Sequence, residues 1–433
     1  MKAIEACVVG SGPSGFFAAD ALLRRVPDIR VDILDRLPTP YGLVRGGVAP
    51  DHQGTKNIAR QFERLCQHPS VRFLGNVGLG RDVGYAELKD FYDLVVLALG
   101  APVDRKLGVP GENLPGVYGS GAFVGWYNGH PDHRDLAPLL DCPAVAIVGN
   151  GNVAIDVARV LAKTPEEMAG SDLCRHAGEV IAAAPLTDIY VIGRRGPAQA
   201  SFTPAELAEL GRLRRTAPKV APRDVATNLP ADSPAAKKNL EILRGLAQQP
   251  PAGKPLTLHF IFHAAPQAIL GRERVEGIRL ARSGVAAEAG AVTDKTFELA
   301  VGAVVTCIGY RTVAVPGLPF DPARGVVRNV DGQVEPGVCV VGWSKRGPSG
   351  TIPTNRADSF AVIERAVGSI GESLTAKPGG RALDLLLSER SVRAVTFADW
   401  LRIDEREKAT APPGRPREKL TRTEELLAAI GDQ

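Results

Sequence analysis

Two glycine turns carry the residues of this chain best suited to chemistry. Gly10-Ser11-Gly12-Pro13-Ser14-Gly15 follows the apolar run Ala6 to Val9, and Gly149-Asn150-Gly151-Asn152-Val153-Ala154 follows Ala144 to Val148. Each reads as a strand, a tight turn and a helix start. In such a turn the first glycine permits the sharp bend, the second lets backbone approach a pyrophosphate, and the third small residue lets the helix pack on its strand. The exposed N–H groups and positive dipole of the first helical turn then attract the anion. One such motif is weak evidence; two in one chain, each after an apolar strand, imply two dinucleotides.

The tip of the next strand tells the two sites apart. Arg30 to Leu34 ends on Asp35, an acid suited to the free ribose diol of an adenosine. Asp188 to Ile192 ends on Gly193-Arg194-Arg195, and paired guanidinium groups suit a 2'-phosphate through bidentate, charge-assisted bonds. The second nucleotide is therefore expected to be NADP(H). After the first acid, Thr39 to His52 has too many Gly and Pro residues for a helix and too little polarity for an ordinary loop. Tyr41, Leu43, Val44 and Val48 in it could cover the flat ring of a flavin, with His52 at its end as a candidate proton or positioning group. Thr203 to Leu213 reads as a helix with Thr203 as N-cap, Pro204 at its first position and Glu206 in a capping box. Glu206 also follows the arginine pair closely enough to touch the nucleotide, and Glu209 joins His52 as a candidate. Arg212, Arg214, Arg215 and Lys219 form a basic run with no acid among them.

These sites need a large α/β scaffold. At 433 residues the chain is too long for one ordinary core. Its 44% hydrophobic and 23% charged residues, with 47 Gly and 34 Pro, describe a turn-rich globular protein and exclude a disordered one. No apolar run reaches the roughly 18 to 20 residues of a membrane helix, and the first glycine turn lies too near Met1 for a leader, so a cytoplasmic location is expected. Six scattered cysteines contain no C-x-x-C and no metal-ligand spacing, so neither a disulfide relay nor a metal is expected. A net charge of +4 is too small for a nucleic-acid binder and favours an acidic partner. Further strands are expected at 71–74, 76–77, 91–101, 256–262, 275–280, 301–308 and 338–341, and helices at 56–67 and 356–367. The strand ending at Val341 leads into Gly342-Trp343 and a glycine-rich loop through Asn355, where Trp343 could pack on a ring system. The helix after that loop would stabilise negative charge at the pyrimidine edge of a reduced flavin.

Together these segments resemble the adrenodoxin-reductase type of ferredoxin-NADP reductase. The likeness rests on GSGPSGFFAA at 10–19, LPTPYGLVRGGVAPDH at 37–52, GNGNVAIDVAR at 149–159, GRRGPAQASFTPAEL at 193–207, GWSKRGPSGTIPTN at 342–355, and the tail ADWLRIDE with GRPREKLT. It implies two interleaved, Rossmann-like, three-layer α/β nucleotide-binding domains. FAD would occupy 1–104 with 320–433, and NADP the inserted 105–319. For FAD it implies Gly10, Gly12, Pro13, Ser14, Gly15, Asp35, Leu43, Val77, Trp343, Gly350, Thr351 and Ile352. For NADP it implies Asn150, Gly151, Asn152, Val153, Arg194, Arg195, Glu206 and Gly350. The family usually has Glu where Asp35 stands, one methylene longer. The activity implied is hydride transfer from NADPH to the flavin, followed by one-electron delivery from a monomer to a ferredoxin, or to a flavodoxin. A flavoprotein reducing a small organic acceptor, or a redox subunit active only within a complex, would carry the same two turns. Turnover of the isolated chain with a one-electron acceptor separates the last of these from the others.

Overall fold

Ala6, Val8, Val31, Ile33 and Val96 have no exposure to solvent, and strands apolar on both faces belong at the centre of a parallel sheet. In the computed structural model, which describes residues 3–226, 232–249, 253–283, 292–369 and 377–431, they occupy the middle of a seven-stranded sheet. Its strand order is Gln333–Glu335, Val338–Val340, Leu94–Leu97, Ile4–Val9, Ile29–Leu34, Val71–Gly75 and Val395–Thr396. The four strands from Leu94–Leu97 to Val71–Gly75 are mutually parallel, so their carboxyl ends line one edge. A six-stranded sheet runs Val117–Gly119, Ala303–Thr306, Ala144–Val148, Asp188–Ile192, Leu256–Ile261 and Thr216–Val220, parallel at every pairing. Each sheet belongs to its own compact unit. The first comprises 1–103, 129–131 and 310–433, the second 104–128 and 132–309.

Helices cover both faces of the first sheet, whereas the second has helices on one face and, on the other, a core in which Ala144, Ala146 and Val148 pack with Ile269, Ile278 and Leu280 of a small antiparallel sheet. In the first unit, Pro13–Arg25 packs with Phe16 stacked on Phe62 at 4.6 Å, over a core that includes Val44, Trp400 and Ile403. A second core on the other face holds Cys7, Leu34, Val95, Leu97 and Leu383. In the second unit, Asn152–Ala162 lies among Phe123, Tyr127, Ile189 and Phe260. Among the described residues no helix is long and apolar enough to cross a membrane.

Several sequence expectations need correction. The segment 39–52 does contain a helix, the single turn Leu43–Gly46, entered through Gly42 at φ 49°. The helix expected at 56–67 is split into Gln53–Lys56 and Ala59–Cys66. Asn76-Val77 is not a strand, because Asn76 turns into the left-handed region at φ 59° and its side chain donates to Arg393 O at 2.9 Å. The helix from Pro204 is α-helical only to Glu209 and tightens to a 3-10 turn at Leu210–Arg212. Thr203 makes no side-chain cap; its N–H donates instead to Asn152 Oδ1 at 2.7 Å. The largest omission is the pair of strands Ala264–Leu270 and Val292–Ala300, which flank the expected strand, here Gly277–Ser283, in an antiparallel three-stranded sheet. Its first strand carries Pro266 and a bulge before Ala268, the two features that erase period-two alternation. The helix expected from Arg356 begins at Ile352, since Pro353 is tolerated within a first turn.

Candidate functional site

Both glycine turns are built to the same plan. Gly10 has φ 111°, and a side chain there would strike Ala98 O at 2.3 Å; Gly149 has φ 148°, and a side chain would strike Cys307 O at 2.3 Å. In each unit the neighbouring strand therefore ends against the turn. At Gly15 a Cβ would meet Gly10 O at 1.9 Å, and the equivalent Ala154 is fully buried. Gly12 differs, because a Cβ there meets nothing within 4 Å and its φ of −76° suits any residue. That space borders the start of Pro13–Arg25, whose N-terminus has no side-chain cap. Asn152–Ala162 likewise starts at Gly151 without one. Uncapped N–H groups beside open space are what a bound pyrophosphate requires. The first turn offers both; the second offers the uncapped helix start, but a Cβ on Gly151 would meet Ser201 Oγ at 3.4 Å.

The first unit brings most of its candidates to one place. Asp35, at the tip of Ile29–Leu34, accepts from Ser11 N at 2.9 Å, Ser11 Oγ at 2.5 Å and Leu37 N at 3.0 Å. The carboxylate is thus oriented and still has lone pairs for a diol. Tyr41 N donates to Ser11 O at 3.0 Å, and a Cβ on Gly42 would lie 2.9 Å from Gly12 Cα, so the loop at 39–52 crosses directly over the turn. Leu43 is 48% exposed, but Tyr41 and Val44 are core residues and cannot cover a ring. Val77 is buried; its backbone N–H donates to Asp35 O at 2.8 Å. Gly342, at φ 68°, passes so near the first helix that a Cβ would meet Ser14 Oγ at 2.1 Å. Trp343 stacks on Tyr310 with ring centroids 6.0 Å apart, and its buried Nε1 has no partner among the described residues. Asp358 fixes this corner by accepting from Gly342 N at 2.7 Å and pairing with Lys345 Nζ at 2.7 Å. Gly350 and Thr351 lie exposed where the helix Ile352–Ser369 begins. His52 is half-buried at the start of Gln53–Lys56.

In the second unit Gly193 leaves just enough room for Asn150, whose Nδ2 would be 1.7 Å from a Cβ. Asn150 Oδ1 is buried without a partner among the described residues, and Asn150 O accepts from Ser201 N at 2.8 Å. Arg194 and Arg195 are both exposed at the strand tip. Val153 and Glu206 are half-buried, and Asn152 ties the turn to the following helix through Thr203. Glu209 is held by an arginine that sequence reasoning missed. Arg159, wholly buried on Asn152–Ala162, pairs with Glu209 at 3.0 Å and Asp156 at 2.6 Å. A charged residue on an otherwise apolar face of a helix was its only signal.

The basic run divides in two. Arg212, Arg214 and Lys219 are exposed, but Arg215 turns inward and donates to Ala162 O at 3.1 Å and Leu161 O at 2.8 Å. It caps the carboxyl end of the second glycine-turn helix and so leaves the surface patch. All six cysteines are free thiols, and burial pushes Cys66 and Cys339 up to about 12. Cys307 is half-buried and the other five are buried, and a thiol held protonated is a poor nucleophile.

The chain is 40% identical over 469 residues to the mitochondrial NADPH:adrenodoxin oxidoreductase of Arabidopsis thaliana, covering 100% of this chain and 96% of that protein. It is 40% identical over 454 residues to the NADPH-ferredoxin reductase FprA of Mycobacterium tuberculosis, covering 99% of each. The solved structure of M. tuberculosis FprA in complex with NADPH matches with a TM-score of 0.95 at 39% identity, over 99% of this chain and 100% of that one. No family model matches. Identity at this level, sustained from end to end and accompanied by the same backbone, shows that the chain belongs to the NADPH:adrenodoxin and NADPH-ferredoxin oxidoreductases, enzymes that pass electrons from NADPH to iron-sulfur proteins of the ferredoxin type.

Proposed function

We propose that the chain binds FAD on its first unit and NADP(H) on its second, and that it delivers electrons singly to an acidic ferredoxin. The observation that carries the assignment is the contrast at the two strand tips: an oriented acid, Asp35, after one glycine turn, and an exposed arginine pair after the other. Bound there, FAD would supply the redox chemistry that links a two-electron hydride donor to a one-electron carrier. The chain's own residues bind, orient and shield. The backbone from Gly10 to Gly15 holds the FAD pyrophosphate, Asp35 the ribose, and Leu43, Val77, Trp343 and Gly350 to Ile352 the flavin end. Asn150 to Val153, Arg194, Arg195, Glu206 and Gly350 hold NADP.

Hydride transfer needs aligned rings and exclusion of water rather than an acid-base pair. His52 and Glu209 therefore act as positioning or proton-holding groups. Six unpaired thiols suit a reducing compartment, the cytoplasm in this reading, and the protein works as a monomer. The test is direct. The purified protein should be yellow and release FAD rather than FMN on denaturation, and NADPH should reduce at least one of a panel of acidic ferredoxins and flavodoxins in its presence. FMN on release, or NADPH oxidation with small organic acceptors and none of the carriers, would overturn it.

A further inference from the structure

Tyr41 sits at φ 82°, a conformation that an aromatic residue adopts only under constraint. Gly42 follows at φ 49°, packed on Gly12. The residues that impose this geometry come from the far end of the chain. Trp400, on the helix Phe397–Ala409, meets Tyr41 edge to face at 5.7 Å and donates Nε1 to its hydroxyl at 3.3 Å. The Arg45 guanidinium lies 5.1 Å from the centroid of the same indole ring and forms a two-pronged pair with Glu407, Nη1 to Oε2 at 2.9 Å. Glu407 is wholly buried. It also accepts from Arg417 Nη1 at 3.2 Å and from Leu420 N at 2.9 Å. Lys419, 5% exposed, reaches Arg45 O at 3.3 Å. Tyr41 and Arg45 are thus both gripped by the tail, and the exposed Leu43 is presented between them.

We propose that the segment 397–420 is a latch that holds the strained Tyr41–Arg45 segment against the first glycine turn, and that Arg45 and Glu407 are positioning residues for cofactor binding. The inference rests on the FAD reading above. A planar guanidinium set over an indole and bonded through both terminal nitrogens to a buried carboxylate fixes a direction as well as a distance. Without it the strained Tyr41 backbone is left with its bond to Ser11 O and its ring contacts with Phe16, Phe62 and Trp400, and the loop relaxes away from Gly12.

The test compares Arg45→Met, which keeps the stem on Trp400 and removes the charge, with Arg45→Lys and with Arg72→Met. Arg72 pairs with buried Asp32 in the same unit, away from the loop, and serves as a control for lost stability. FAD affinity is measured by reconstitution of each variant, alongside the visible spectrum of the bound flavin and the rate of chymotryptic cleavage after Tyr41 or Leu43. Arg45→Met is expected to weaken FAD at least about tenfold and to speed cleavage by a similar factor, with partial rescue in Arg45→Lys. Arg72→Met is expected to lower Tm while leaving affinity, spectrum and cleavage unchanged. A smaller loss in Arg45→Met, or an equal loss in Arg72→Met, overturns the latch. If Arg45→Met does not fold, Lys419→Met, which removes one bond to the loop, must shift cleavage in the same direction, and an unchanged rate counts against the proposal. If the wild-type chain takes up no FAD, the cofactor reading falls while the cleavage arm still decides the latch.

Discussion

The two glycines at the heart of the first turn do different jobs, and single substitutions separate them. At Gly10 an alanine methyl would collide with Ala98 O in a backbone conformation unfavourable to any side chain. Gly10→Ala should therefore lower thermal stability or abolish soluble protein, read by circular dichroism melting. Gly12→Ala meets open space at an ordinary φ, so it should keep a Tm near wild type and lose FAD. Arg194 and Arg195 offer a second test at this scale. Replacing either with Ala should raise KM for NADPH roughly tenfold to a hundredfold and leave NADH almost unchanged, because each charge-assisted bond to a phosphate contributes about 1.5–3 kcal/mol. Equal losses with both coenzymes would make the arginines structural.

At the scale of the element, the helix Asn152–Ala162 is gripped at several points. Arg215 covers its last carbonyls, Asn152 ties its first turn to Thr203, and Arg159 anchors its middle to Glu209. Arg159→Met would strand Asp156 and Glu209 around a vanished cation. Glu209 is 39% exposed and water can take up its charge, so the loss should be about 1–3 kcal/mol, read as a lower urea midpoint at unchanged m. Arg215→Ala should cost about 1 kcal/mol through the lost cap and nothing in carrier docking.

The molecule as a whole carries a mild positive charge, +4, and its exposed Arg212, Arg214 and Lys219 fit an acidic carrier. Steered association weakens as the screening length falls from about 10 Å at 0.1 M to about 3 Å at 1 M salt. Reduction of a ferredoxin should therefore slow at high salt, while reduction of a small neutral acceptor should change little. Reversing Arg212, Arg214 and Lys219 to Glu should reproduce the salt effect at low salt. Carrier reduction that stays fast in that variant, yet remains salt-sensitive, would move the docking face elsewhere, with Lys56 and Arg60 as the next candidates, since Lys345 is taken up by Asp358.

The sequence by itself determined the fold class and the two strand, turn and helix units, because their requirements are local. A positive φ needs glycine, a tight strand-helix contact needs a small residue, and a buried parallel strand needs an unbroken apolar run; each can be read within about ten residues. The strand at 264–270 was lost because Pro266 and a bulge disturb the local pattern itself. What the tertiary structure decided depends on partners far apart in the chain. Arg45 and Glu407 are separated by 362 residues, and neither shows in its own surroundings that it will be buried. Tyr41 read as a cover for a ring became a strained core residue through Trp400, and Arg215 read as surface charge became a helix cap through Leu161 and Ala162. A side chain's type limits what it can do, but burial and the partner it meets select among those roles, and both are set by the packing of distant segments.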